Sequence, residues 1–175
     1  MSGILVAGIG NIFQGDDAFG VEVAQRLARR ILPAGVTVGD FGIRGIDLTY
    51  ALMDDYEAVI LVDAARRGER PGVVSVIAPD RLEEGAPDPG ELLISPHDLD
   101  PAKVLRIVAV LGGGCRRILL VACEPQELGG EDGCMGLSPP VAAAVEPAIE
   151  TIEALIGELR QPARELAYEN RAHRR

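Results

Sequence analysis

Three side chains combine reactive type with a position suited to chemistry: Asp17, Asp63 and His97. Asp17 closes the glycine-rich stretch "GIGNIFQGDD" (8–17), Asp63 ends the apolar run "AVILV", and His97 sits in "SPHDLD". The second histidine, His173, falls in a polar C-terminal stretch, so imidazole chemistry in the folded domain rests on His97. Two carboxylates and one imidazole make a three-ligand set suited to a borderline divalent ion with open positions. Each residue also has an ordinary structural explanation. An aspartate at a helix start accepts backbone N–H groups and suits the positive end of the dipole. A strand-end acid accepts N–H bonds from its own turn, or pairs with a cation such as Arg44. A loop histidine can simply face solvent. One helix start does not need two carboxylates, so Asp16 is expected to cap and Asp17 to face a crevice.

Other chemistries fit the residues less well. The dinucleotide fingerprint needs G-x-G-x-x-G, yet after Gly8 and Gly10 the next glycine is Gly15. Asp40 stands roughly where a ribose-binding acid would, but Asp16 and Asp17 would repel a pyrophosphate. No G-K-[ST] follows the glycines, which removes the P-loop. "GLSPP" is not G-x-S-x-G, and Ser138 is better used as a helix cap. A cysteine nucleophile, Cys123 or Cys134 acting with His97, gains little, because Cys123 lies within an apolar strand where packing is the default role.

The elements that must position these residues follow from periodicity. "ILVAGIG" (4–10) reads as a buried first strand, and Phe19, Val23, Leu27 and Ile31 recur at helical spacing, predicting a helix from about Asp17 to Ile31. "GVTVGDF" (35–41) predicts a second strand, "GIRG" a loop shaped by Gly42 and Gly45, and "IDLTYALM" a short helix. "EAVILVDA" (57–64) is apolar without alternation, the mark of a strand covered on both faces. "VVSVIAP" (73–79) predicts a fourth strand; its short link to the third points to antiparallel neighbours. Residues 80–96 form a long Pro- and Gly-rich connection, a candidate flap. Asp100 with Pro101 starts a helix to about Leu111, "RILLVACE" (117–124) is a fifth strand, and Ser138 with Pro139 starts the last helix. The expected fold is an α/β three-layer sandwich: a mixed, mostly parallel five-stranded sheet with helices on both faces. Residues 1–160 form one domain and 161–175 a polar tail. In such sheets ligands bind beyond the carboxyl ends of the strands, where Asp17, Asp63 and His97 can converge.

Composition narrows the partners. The chain has 175 residues, a formal net charge of −10 and 3% aromatic residues. That charge argues against binding nucleic acid or an anionic membrane through a basic face. Three cysteines without a CxxC pair or an even framework fit a reduced, cytoplasmic setting. The opening "MSGILVAGIG" has no basic region and too short an apolar run for a signal peptide. A monomer is the simplest expectation.

The ordered motifs resemble the maturation endopeptidases of [NiFe] hydrogenases. "GIGNIFQGDDAFG" is similar to that family's opening G-x-G-N-x-x-x-x-D-[DE]-x-x-G. "FGIRGIDL" resembles its second glycine-flanked loop, "VILVDAARRGERPG" its central strand, acid and glycine turn, and "SPHDLD" its S-x-H segment. "CEPQELGGEDGCMGLSPPV" resembles its closing elements, and the set spans most of residues 1–145. The resemblance implies an endopeptidase that removes a C-terminal peptide from a hydrogenase large-subunit precursor after nickel insertion. It implies that the precursor supplies the nickel, and that Asp17, Asp63 and His97 address it. Some relatives carry glutamate where this chain has Asp17. A nickel- or carboxylate-activated water, including an aspartic-type route, stays open. A non-enzymatic nickel-binding accessory protein is the rival reading, since the same three residues would serve it.

Overall fold

The computed structural model describes residues 3–54, 56–78, 117–129 and 133–161. Five strands form one sheet: β1 (Gly3–Ile9), β2 (Val36–Gly42), β3 (Tyr56–Ala64), β4 (Val74–Ile77) and β5 (Arg117–Cys123), in the order β2-β1-β3-β5-β4. All pairings are parallel except β4 with β5. Helices α1 (Phe19–Leu27), α2 (Gly45–Met53) and α3 (Pro139–Leu159) complete the described elements, with a single 3-10 turn at Asp16–Ala18.

Both faces of the central strands are buried, which is why their sequences do not alternate. Ile4, Val6, Ala58, Ile60 and Val62 point to one side and pack with Phe19, Val23 and Leu27 of α1 and Val145, Ile149 and Ile152 of α3. Leu5, Ala7, Ile9, Val59 and Leu61 point to the other side, against Leu48 and Leu52 of α2. The three-layer expectation holds: α1 and α3 cover one face and α2 the other. Burying side chains of this size contributes about 1.5–3 kcal/mol each.

Two local expectations change. The helix expected to reach Ile31 ends at Leu27, and Ile31 is fully exposed. After Leu27 the chain tightens into a turn, with Arg29 N and Arg30 N bonded to the carbonyls of Arg26 and Leu27, and Pro33 bars a helix through Leu32. The fourth strand is reversed as expected but borders β5, not β3. The link from β3 crosses the carboxyl end of β5: Ala65 N donates to the Cys123 carbonyl (3.0 Å) and Gly72 N to that of Glu124 (2.8 Å). Parallel β5 takes the place beside β3, which is buried from Ala58 to Ala64, and the half-exposed β4 tolerates the edge.

The approach of α1 to the sheet positions the loops that matter. A Cβ on Gly20 would overlap the carbonyl oxygens of Val62 and Ile9, so the helix backbone rests directly on the ends of β1 and β3. The 3-10 turn that precedes α1 is therefore held over the same two strand ends, in contact with β3. Among the described residues, no helix is long and apolar enough to cross a membrane.

Candidate active site

The chain leaves β1 at Ile9 and folds back on itself at once. Gly10 adopts φ 132°, and a Cβ there would overlap the carbonyl oxygen of Asp17. That close approach brings Asp17 beside the start of its own loop, where Asn11 N donates to Asp17 Oδ2 at 2.7 Å. Asn11 Oδ1 accepts from Phe13 N (3.0 Å), and Gln14 N donates to the Asn11 carbonyl (3.0 Å), which stiffens the turn. Asp17 is half-buried. Burial pushes its carboxyl above the usual value, against a smaller lowering from the Asn11 N–H. Among the described residues its other oxygen, Oδ1, accepts no hydrogen bond.

Asp16 does not cap the helix that follows it. Gly15 holds the cap position of the 3-10 turn and no side chain bonds there. The Asp16 side chain runs inward, is fully buried, and gathers donors more than a hundred residues away. Its Oδ2 accepts Gln126 N (2.8 Å), Glu127 N (2.9 Å) and Ser138 Oγ (2.9 Å), and its Oδ1 accepts Ser138 N (2.7 Å). Burial raises the Asp16 carboxyl, but these hydrogen bonds outweigh it and leave the group below its usual value. Ser138 stands at the N-cap of α3 as expected, yet it makes no side-chain cap bond, because its hydroxyl serves Asp16. Backbone bonds reinforce the clasp: Gly15 N to the Cys134 carbonyl (2.6 Å), Asp16 N to that of Glu127 (3.2 Å) and Cys134 N to that of Phe13 (2.9 Å).

Asp63 lies at the carboxyl end of β3, 9% exposed, with Oδ1 accepting Ala64 N at 2.9 Å. The turn-capping explanation thus describes one of its bonds. Arg44, the alternative partner, is bound to the carbonyls of Asp40 and Phe41 and lies 3.7 Å from Asp47. Asp17 and Asp63 therefore stand at the carboxyl ends of adjacent parallel strands, β1 and β3. This is the edge at which open α/β sheets take ligands. His97 lies outside the described residues, as do the loop 80–96, the helix expected from Asp100, Cys115 and His173. Among the described residues no three His, Cys, Asp or Glu side chains gather as a metal cage.

Sequence reasoning misses one buried acid. Glu124 follows β5 and accepts Arg67 N (2.7 Å) and Glu69 N (3.2 Å), fixing the loop that leaves Asp63. A carboxylate at the end of an apolar run is costly unless hydrogen-bonded or paired, and "RILLVACE" carries that signal as plainly as the run that ends at Asp63. Cys123 is buried, and burial, then the charges of Asp16 and Glu124, push its thiol up to about 11, which disfavours the thiolate that a nucleophile needs. Gly42 adopts φ 53° and its carbonyl accepts Gly10 N (3.1 Å), so it shapes the loop as expected.

Comparison with known proteins converges. The model of a family described as hydrogenase maturation protease matches residues 21–155. The hydrogenase 2 maturation protease of Escherichia coli K12 is 34% identical over 157 residues, covering 89% of this chain and 91% of that protein. Among solved structures, the E. coli hydrogenase maturating endopeptidase HybD aligns with a TM-score of 0.72 at 32% identity, covering 89% of this chain and 93% of that one. The [NiFe] hydrogenase maturation protease HycI of Thermococcus kodakarensis aligns at 0.62 and 27% identity, covering 89% and 93%.

Proposed function

Since the chain belongs to the hydrogenase maturation protease family, we propose that it is the endopeptidase that trims a hydrogenase large-subunit precursor at its C-terminal end, with nickel in that precursor as the recognition signal. What supports this reading most is the placement of two carboxylates, Asp17 and Asp63, at neighbouring strand ends on the ligand-binding edge. Asp17 there is half-buried with an oxygen to spare among the described residues. Such an acid is poorly compensated alone and well compensated beside a cation.

In the proposed reaction, Asp17, Asp63 and His97 complete the coordination of the precursor's nickel as it docks. Water adds to the scissile carbonyl carbon, giving a proton to a neighbouring base, for which the carboxylates are the candidates. The C–N bond then breaks and the leaving amine takes up the proton. The helix-start dipole near Asp17 repels a cation, so the two carboxylate charges are what hold one there. Two free thiols among the described residues, Cys123 and Cys134, fit the reduced cytoplasmic setting in which we place the reaction. Incubating purified protein with nickel-loaded precursor tests this reading: the large subunit should shorten on a gel. A precursor that is bound but left intact would favour the accessory-protein reading.

A further inference from the structure

A pocket of about 300 Å3 opens between the loop after β1 and the loop after β2, on the side of β1 away from β3. Its apolar wall comes from Ile12, Phe13, Val21, Phe41 and Ile43. The chain contains three phenylalanines, and two of them line this pocket. In a protein so poor in aromatic residues, that is a concentrated use of large apolar surface. Phe13 is 59% exposed and Ile43 37%, so the mouth of the pocket presents apolar side chains to solvent. An apolar concave surface with a few polar groups beside it is the make-up of a binding pocket.

The walls are fixed before anything binds. Gly10 N bonds the Gly42 carbonyl at 3.1 Å, Arg44 N bonds that of Phe41 at 2.8 Å, and Gln25 Nε2 holds Asp40 Oδ2 at 2.9 Å. Among the described residues Asp40 Oδ1 takes no hydrogen bond, leaving an acceptor on the polar wall. Asn11 connects this pocket to the site above, since it lines the pocket and its N–H binds Asp17. Whatever occupies the pocket thus lies next to Asp17, one of the residues proposed to address nickel. The volume is at the low end of ligand pockets, roughly 300–1,000 Å3. It admits a side chain and its backbone, not the face of a folded domain.

We propose that this pocket is a subsite for an extended segment of the precursor near the scissile bond. One large aliphatic or aromatic side chain seats against Phe13, Phe41 and Ile43, and a donor of the same segment, such as a backbone N–H, reaches Asp40 Oδ1. An extended chain advances about 3.3 Å per residue, so a segment anchored in the pocket passes Asp17 within a few residues. The subsite rests on the reading of the chain as a precursor protease, and it assigns this part of the surface to substrate selection.

The test uses the full chain, nickel-loaded precursor, and a synthetic peptide spanning the cleavage junction. Phe13→Ser with Ile43→Ser should raise KM for the precursor by about tenfold or more, the effect of losing apolar contacts in a specificity pocket, with kcat within about twofold. Met53→Ser, which removes a 44%-exposed side chain at the far end of α2, should change neither. Unchanged KM in the double variant would overturn the subsite while leaving the protease reading intact. No cleavage by the unmodified protein would overturn that reading instead. If the double variant does not fold, amide NMR of the unmodified protein decides: the peptide should shift the signals of Phe13, Gln25 and Ile43, and an absence of shifts there removes the proposal.

Discussion

Asp16 and Asp17 share a single 3-10 turn, and their surroundings differ in every respect that governs a carboxylate. Among the described residues, Asp16 is fully buried with four hydrogen bonds from Gln126, Glu127 and Ser138, while Asp17 is half-buried with one, from Asn11. The first is held below its usual pKa and the second above it. The 3-10 geometry separates them: at about three residues per turn, successive side chains leave the axis in different directions. One enters the body of the protein and ties the opening loop to the segment before α3. The other stays at the sheet edge. A saturated carboxylate can brace a structure but has nothing left to offer a ligand; an undersatisfied one has the reverse properties.

That contrast can be broken at either residue. Asp17→Ala should lower precursor cleavage by about 10²–10⁴-fold, the range for removing a group that acts in the transition state. Its thermal midpoint should stay level or rise, since the ionised carboxylate is held at a cost. Asp16→Ala should act the other way, lowering unfolding free energy in urea by about 3–5 kcal/mol as three backbone N–H groups lose an anionic acceptor. The amides of Gln126, Glu127 and Ser138 should then exchange faster than the rest of the core.

The pH dependence should separate the two again. A carboxyl depressed in the folded state contributes stability above its unfolded value, lost as pH falls through the folded one. Removing the charge by Asp16→Asn should therefore flatten the acid limb of stability below the ordinary aspartate value of 3.8. For Asp17 the sign is opposite: its raised value means that stability is lost as pH rises through the folded pKa, so Asp17→Asn should gain stability at neutral pH relative to the parent. Thermal melts of both variants from about pH 2 to about pH 7 check the opposite slopes. The smallest effect concerns thiols. Iodoacetamide at about pH 8 should modify exposed Cys134 and spare Cys123, whose thiol is buried and pushed up to about 11. In Asp16→Ala, loosening of the clasp should bring Cys123 into reach.

Much of this architecture is legible in residue order, for physical reasons that differ by element. Continuous apolarity in "EAVILVDA" marks a doubly covered strand, and the recurrence of Phe19, Val23 and Leu27 every four residues marks the face of α1. The neighbour of β4 is not legible, because a short link fits a hairpin and a passage across the end of β5 equally well. Asp16 is misread for a related reason. A cap is a local device, and the donors that claim this carboxylate arrive from Gln126 to Ser138. The same distance hides the use of the Ser138 hydroxyl, which local rules assign to its own helix. Asp17 and Asp63 can be singled out because strand-end acids in an α/β order lie at a known edge. His97 stands out by scarcity and motif, and lies outside the described residues.

We propose that Asp17, with Asp63 and His97, answers to nickel in the precursor. The most direct measurement is the intact mass of the large subunit after incubation with this protein, using nickel-loaded and nickel-free precursor side by side. We expect loss of the C-terminal peptide from the nickel-loaded form alone, and from neither form with Asp17→Ala. Equal cleavage of both forms, or unimpaired cleavage by Asp17→Ala, would contradict the account.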